Sequence, residues 1–297
     1  MGIAVTYYSD PGCPWAYSAS PALTVLRWRY GDQLDWRLVT IGLAEDPGQY
    51  EARGYTPTTV ARRYRRFRRL GMPFATAPRE RVPATGRACR AIVAARLLDP
   101  GSEWAVFRAL QLAWFNTTLQ LDDDEAIATA ARMFANVDSD PIVGALDRDD
   151  VEAAYQADRA EARTAAGSPT ELQGKAATTD GPVRYTAPSI VFESGDRRLE
   201  AGGFQPVEAY DVLVANLDPS LSRAAPPVDC AAVLERFPGG LTTQEVAAVM
   251  AGNNEVPDRL RAEEALIELA AEQRARRVPL GNDAIWAPSS APAPAPG

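Results

Sequence analysis

The residues best placed to do chemistry form one short stretch, SDPGCPWAY at positions 9–17. Cys13 follows a predicted strand, and Pro14 suits the first position of a helix. Backbone N–H groups at the start of a helix are unpaired, and the helix dipole favours a negatively charged sulfur there. The sequence therefore predicts that Cys13 is a reactive thiol with a lowered pKa. The alternative is a buried and inert cysteine.

The rest of the composition excludes several other kinds of site. The chain has 297 residues and no histidine, which removes His-based catalytic triads and the zinc and iron sites that need histidine. We therefore predict no metal site. Three cysteines (Cys13, Cys89 and Cys230) are odd in number and far apart, so no disulfide framework is expected and the last two are predicted to be packing residues. The net charge of -8 does not indicate nucleic acid or an anionic membrane as a partner.

No segment of the chain predicts a membrane protein. No run approaches the roughly 18 apolar residues of a membrane span. Residues 1–10 lack the basic and apolar regions of a signal peptide. The expected location is the cytoplasm, where exposed thiols stay reduced.

The elements around Cys13 predict a βαβ unit. β-branched and aromatic residues indicate a strand over 3–8, apolar residues at helical spacing indicate a helix over 14–29, and alternation indicates a strand over 34–43. A helical block at about 56–180 precedes two further strands and a helix over 206–216. This order predicts an α/β domain over residues 1–222, a thioredoxin-like fold with an all-helical insertion.

The C-terminal part of the chain predicts a second domain. Pro226 and Pro227 lie in a linker, Thr242 and Glu245 form a capping box that begins a helix, and a second helix and a hairpin follow. Helix, helix, hairpin is the pattern of a winged-helix-like domain over 226–287, followed by an Ala/Pro tail over 288–297. Residues 226–297 carry six arginines and ten acidic residues. We therefore predict a packing or dimerisation module that does not bind nucleic acid.

Four motifs together resemble the DsbA-like branch of thioredoxin-fold proteins, which includes 2-hydroxychromene-2-carboxylate isomerases, kappa-class glutathione transferases and polyketide-pathway oxidoreductases. They are Asp10-Pro11-Gly12-Cys13-Pro14-Trp15, Gly71-Met72-Pro73-Phe74, Gly86-Arg87-Ala88 and Thr186-Ala187-Pro188-Ser189. The resemblance covers residues 3–217. It implies that Cys13 is the nucleophile and that Pro188 is a cis-proline facing it. It also implies thiol or substrate binding by a set of five residues: Pro14, Trp15, Phe74, Arg87 and Ala187.

The sequence departs from the dithiol members of that branch at Ala16, where they carry a second cysteine. Without a resolving thiolate, the prediction is monothiol chemistry. Cys13 forms a mixed disulfide that a low-molecular-weight thiol, glutathione- or mycothiol-like, cleaves as a cosubstrate. The other expected partner is an electrophile or a disulfide substrate, with no tightly bound cofactor, and a homodimer is the expected assembly if the chain associates. The alternative is a non-catalytic binding or regulatory module with a C-terminal interaction domain.

One predicted helix is strongly basic. Residues 59–70 carry six arginines: Arg62, Arg63, Arg65, Arg66, Arg68 and Arg69. Tyr64 and Phe67 supply an apolar seam on the same helix. A solvated basic helix is the ordinary interpretation. The functional alternative is a clamp for a carboxylated thiol or substrate, because guanidinium groups pair with carboxylates bidentately.

Overall fold

The computed structural model describes residues 2–179 and 181–291, and its first elements form the predicted βαβ unit. The elements are β1 (Ile3–Ser9), α1 (Pro14–Ser18), α2 (Ser20–Tyr30) and β2 (Leu34–Thr40). β2 pairs parallel with β1. The single helix predicted over 14–29 is divided in two. Pro21 lies in the first turn of α2, where its missing N–H is tolerated, whereas it would interrupt a continuous helix.

The insertion after β2 is helical along most of its length. Its helices are α3 (Pro47–Glu51), α4 (Pro57–Phe67), α5 (Gly86–Leu98), α6 (Glu103–Asn116), α7 (Asp124–Ala135), α8 (Asp140–Gly144), α9 (Asp149–Ala162) and α10 (Pro169–Leu172). The prediction of an all-helical insertion is wrong at its end, where β3 (Ala176–Ala177) pairs with β4 (Arg184–Tyr185). The chain leaves α10 through Gly174, whose φ of 67° ends the helix and allows extended backbone.

The second half of the sheet brings a distant segment to the end of β1. It consists of β5 (Ser189–Ser194), β6 (Arg197–Gly202) and α11 (Val207–Leu217). The strand order is β2-β1-β5-β6, with β5 antiparallel to both of its neighbours. Because Ser189 pairs with Tyr8, the residues just before β5 lie beside the turn that follows β1.

The C-terminal unit consists of α12 (Cys230–Arg236), β7 (Leu241–Thr242), α13 (Thr243–Met250), α14 (Arg259–Ala271), β8 (Ala275–Leu280) and β9 (Asp283–Pro288). Its strands form an antiparallel sheet in the order β7-β9-β8. The capping box of Thr242 and Glu245 is present at the start of α13. The sequence analysis missed α12, a helix of two turns that Asp229 caps by accepting a hydrogen bond from the Ala232 N–H. Of the predicted tail, Pro288 belongs to β9, and residues 292–297 lie outside the described residues.

The C-terminal unit packs against the thioredoxin-like domain. Val25 of α2 lies in the same hydrophobic cluster as Val246 and Trp286 of the C-terminal unit. Arg108 of α6 donates hydrogen bonds of 2.6 and 2.8 Å to the carboxylate of Glu245, which is completely buried. The two parts of the chain therefore share both an apolar contact and an ion pair whose carboxylate is buried.

Candidate active site

A tight turn after β1 positions Cys13. The Cys13 N–H donates to the Asp10 carbonyl at 3.2 Å, and the Gly12 N–H donates to the Asp10 carboxylate at 2.8 Å. A Cβ at Gly12 would lie 2.6 Å from the Thr85 side chain and 2.9 Å from the Trp114 ring. This close approach requires glycine, and it fixes the turn against the helical insertion.

The thiol of Cys13 lies beside Ala187 and Pro188. Its Sγ donates a hydrogen bond of 3.0 Å to the Ala187 carbonyl, and the Ala187–Pro188 peptide bond is cis. The Cys13 side chain is only 6% exposed. The strand register thus joins two of the sequence motifs, 174 residues apart, at one point.

Burial determines the protonation of Cys13. Desolvation, the largest effect, and the charge of Asp10 together raise the pKa of the thiol to about 12. The N–H groups of Ala16 and Trp15 lower it, but α1 is only five residues long and their effect is smaller. The structure therefore contradicts the predicted lowering of the pKa, because the loss of solvent outweighs the helix start. The resting thiol is protonated at neutral pH.

Asp10 ties this turn to two other segments. It is completely buried, and its carboxylate also accepts the Leu43 N–H at 2.9 Å and the Cys89 thiol at 3.6 Å. Burial raises the pKa of Asp10, while these hydrogen bonds lower it. Cys89 is buried here and Cys230 is buried in the C-terminal unit. Asp10 was recognisable from the sequence only as part of a motif, and its buried position was not predicted.

A cleft of about 300 Å³ begins at Cys13 and runs between α1, α4 and the loops of the insertion. Its lining is mainly aromatic and apolar: Gly12, Cys13, Pro14, Trp15, Leu43, Tyr50, Tyr55, Val60, Arg63, Tyr64, Phe67, Val82, Pro83 and Trp114. The predicted binding residues Pro14 and Trp15 lie in this lining. The α4 residues share one face of that helix, as their 60, 63, 64, 67 spacing indicates. That spacing was the available signal for the cleft wall.

Aromatic rings form the mouth of the cleft. Trp15 is 44% exposed, and its ring centroid lies 4.8 Å from that of Phe67 and 5.7 Å from that of Phe204. Arg63 is the charged side chain in the lining, and its guanidinium lies 4.4 Å from the centroid of the Tyr55 ring. The cleft can therefore hold an apolar or aromatic group close to Cys13 and an anionic group close to Arg63.

Three predicted binding residues, Ala187, Arg87 and Phe74, lie outside the cleft lining, and of these Ala187 contacts Cys13 through its carbonyl. Arg87 donates hydrogen bonds of 2.7 and 2.8 Å to Asp124 and pairs also with Asp147, so it joins α5 to α7. Phe74 is completely buried, and its ring centroid lies 5.6 Å from Tyr64 and 5.7 Å from Phe67. Phe74 thus supports the wall of the cleft from behind, and Arg87 has a structural role in α5.

Within residues 2–179 and 181–291, no group of acidic or cysteine side chains is arranged to hold a metal ion. No helix in that part of the chain has the length and apolarity needed to cross a bilayer.

Comparison with known proteins identifies the fold. No protein-family model matches the chain, and no curated protein does. A putative protein disulfide isomerase from Nitrosomonas europaea is similar with a TM-score of 0.53 at 19% identity, covering 73% of this chain and 96% of its own. The cytosolic disulfide reductase DsbM from Pseudomonas aeruginosa is similar with a TM-score of 0.50 at 19% identity, and the match covers 73% of this chain and 97% of DsbM. A probable DsbA oxidoreductase from Streptomyces coelicolor is similar with a TM-score of 0.54 at 18% identity, and the match covers 76% of this chain and 94% of that protein. The first part of the chain thus has the DsbA-like thioredoxin fold.

Proposed function

We propose that the protein is a monothiol member of the thiol–disulfide oxidoreductases or of the related thiol transferases and isomerases, with Cys13 as its nucleophile. One observation carries this proposal: the Cys13 Sγ lies 3.0 Å from the Ala187 carbonyl, beside Pro188 and at the inner end of a cleft large enough for a small molecule. A purely structural cysteine requires no adjoining cleft.

The chemistry proposed is a two-step thiol exchange. The Cys13 sulfur attacks a disulfide RSSR, a Cys13–SR bond forms as the S–S bond of RSSR breaks, and the proton of Cys13 leaves with the released thiol RSH. A second thiol R′SH then attacks the mixed disulfide, an R′S–SR bond forms as the Cys13–SR bond breaks, and Cys13 regains a proton as the new disulfide leaves. Ala16 occupies the position of a resolving cysteine, and Cys89 is completely buried against Asp10, so the second thiol comes from a low-molecular-weight molecule such as glutathione or mycothiol.

The surroundings of Cys13 support both the resting and the reacting state. The protonated thiol donates to the Ala187 carbonyl, whereas the thiolate is stabilised by the N–H groups of Ala16 and Trp15. A ligand that donates an N–H to the Ala187 carbonyl would replace the thiol proton there. Ligand entry would then favour the thiolate at the moment of reaction.

The proposed setting is a reducing compartment, the cytoplasm, with no nucleic acid or membrane partner. DsbM, one of the structures with the same fold, is described as a cytosolic disulfide reductase. The C-terminal unit has the helix–strand–helix–helix–hairpin order of a winged-helix domain, but residues 226–297 carry ten acidic residues and six arginines. Leu260 and Ile267 of α14 are 68% and 53% exposed, which suits contact with a second copy of the chain.

A non-catalytic binding module is the second candidate. The observation that favours it is the burial of Cys13, which raises the pKa of the thiol to about 12 and leaves little thiolate at neutral pH. In this case the cleft would hold a ligand without a covalent step.

Turnover distinguishes the two candidates. We expect the full chain to catalyse reduction of hydroxyethyl disulfide by glutathione or by mycothiol, and Cys13→Ser to abolish that activity. The matched controls are Cys89→Ser and Cys230→Ser, which should retain it. Wild-type turnover no faster than that of Cys13→Ser with both thiols would favour the binding module.

A further inference from the structure

The arginines of α4 form a cluster of exposed positive charge without acidic partners among the described residues. Arg62, Arg63, Arg65 and Arg66 are exposed, and no acidic residue of α4 offsets them. Within residues 2–179 and 181–291, no carboxylate lies within ion-pair distance of these four side chains. Repulsion between arginines three and four positions apart is therefore uncompensated in α4. The chain as a whole has a net charge of -8, so this concentration of positive charge is local.

Helical geometry places part of this charge at the cleft. Val60, Arg63, Tyr64 and Phe67 form the face of α4 that lines the cleft. At about 100° per residue, Arg66 and then Arg62 follow Arg63 around the helix away from that face. Arg63, Arg66 and Arg62 thus form a continuous basic edge that leads from solvent to the cleft of Cys13.

Arg63 is positioned without using its hydrogen-bond donors. Its guanidinium stacks on Tyr55 at 4.4 Å from the ring centroid, and no hydrogen bond joins it to another residue in the described part of the chain. Stacking leaves the N–H groups in the guanidinium plane available to a carboxylate. Arg68 differs, because its Nε donates to the Phe74 carbonyl at 2.8 Å and serves the fold.

We infer that Arg63, with Arg62 and Arg66 beside it, makes the Cys13 site selective for low-molecular-weight thiols and disulfides that carry carboxylates, as glutathione does and mycothiol does not. This inference rests on the proposed function and adds the charge of the substrate to it. The cleft volume of about 300 Å³ matches a small molecule, with its sulfur at Cys13 and its carboxylate at Arg63. The basic edge also raises the local concentration of anions before they enter.

The test compares three disulfides that differ in charge and follows their reaction with Cys13 by release of the thiol product. Dithiobis(nitrobenzoate) carries two carboxylates, dithiodipyridine is neutral, and cystamine carries two ammonium groups. Each rate constant is divided by that of free cysteine with the same probe, which removes the intrinsic reactivity. We expect the dianion to be preferred over the dication, and Arg63→Gln/Arg66→Gln or high salt to reduce that preference by about tenfold.

The matched control removes the same charge from the C-terminal unit. In Arg274→Gln/Arg277→Gln the preference for the dianion should remain. Equal normalised rates for all three disulfides in the wild type, or an unchanged preference in Arg63→Gln/Arg66→Gln, would overturn this inference and leave the proposed function intact. Failure of even the neutral disulfide to react with Cys13 would instead contradict the proposed function. Thermal melts of both double variants would check that each retains the fold.

Discussion

Two opposing effects act on the thiol of Cys13. The N–H groups at the start of α1 stabilise the thiolate, while the loss of solvent at a side chain that is 6% exposed destabilises it. The first effect is local and follows from the order of residues 9–17. The second effect, the loss of solvent, depends on how Ala187 and the cleft walls cover the sulfur. Those residues are distant in sequence, so the pattern around Cys13 cannot predict it. Burial prevails, so reactivity in this site depends on what a ligand changes when it enters.

The pH dependence of Cys13 alkylation follows from this balance. Because burial raises the pKa of Cys13 to about 12, the thiolate fraction should increase roughly tenfold per pH unit from about pH 7 to about pH 10. The alkylation rate with iodoacetamide should increase in parallel, measured in Cys89→Ser/Cys230→Ser so that Cys13 is the only thiol. A plateau near pH 9 would show that the sulfur is solvated like a free cysteine.

The monothiol state depends on Ala16. This residue lies one helical turn after Cys13, so Ala16→Cys should allow a disulfide between Cys13 and the introduced thiol and increase insulin reduction with dithiothreitol. Ala16→Ser is the matched control, since it adds a polar atom to the same buried position without a second thiol. Insulin reduction that is equally strong in the wild type would indicate a different resolving cysteine.

The elements differ in how far the sequence could predict them. The βαβ unit and the capping box at Thr242 depend on residues close in sequence, and both are present. The cleft depends on α4, Tyr50 and Trp114 meeting at Cys13, which requires the whole insertion to pack. Trp114 of α6 is buried among the helices of the insertion and also lines the cleft. Arg87 likewise pairs with Asp124 and Asp147, which are distant from it in sequence, so its structural role could not be predicted from the motif around it.

The carboxylate of Asp10 joins three segments of the chain, because it accepts hydrogen bonds from Gly12, Leu43 and Cys89. Asp10→Ala should lower the free energy of unfolding by about 1–3 kcal/mol, because the partly buried N–H groups of Gly12 and Leu43 lose their acceptor. Urea unfolding followed by tryptophan fluorescence measures this change. Asp35→Ala on an exposed part of β2 is the control and should have little effect. Equal stability of Asp10→Ala and the wild type would show that another group satisfies these donors.

The stability of the whole molecule depends on the contact between the thioredoxin-like domain and the C-terminal unit. Glu245 begins α13, is completely buried and pairs with Arg108 of the insertion. Removing Glu245 leaves the guanidinium of Arg108, which is 27% exposed, without its carboxylate partner, so Glu245→Ala should cost about 1–3 kcal/mol and lower the melting temperature. Glu268→Ala, at an exposed position on α14, is the matched control. Identical melting temperatures for the two variants would show that the C-terminal unit contributes little to the stability of the first domain.

The central claim is that Cys13 alone carries thiol exchange with a small thiol. The most direct measurement is the mass of the intact protein after incubation with oxidised glutathione and, separately, with oxidised mycothiol. We expect one adduct per chain with at least one of them, absent in Cys13→Ser, present in Cys89→Ser/Cys230→Ser, and removed by the corresponding reduced thiol. No adduct with either disulfide, or the same adduct in Cys13→Ser, would contradict it.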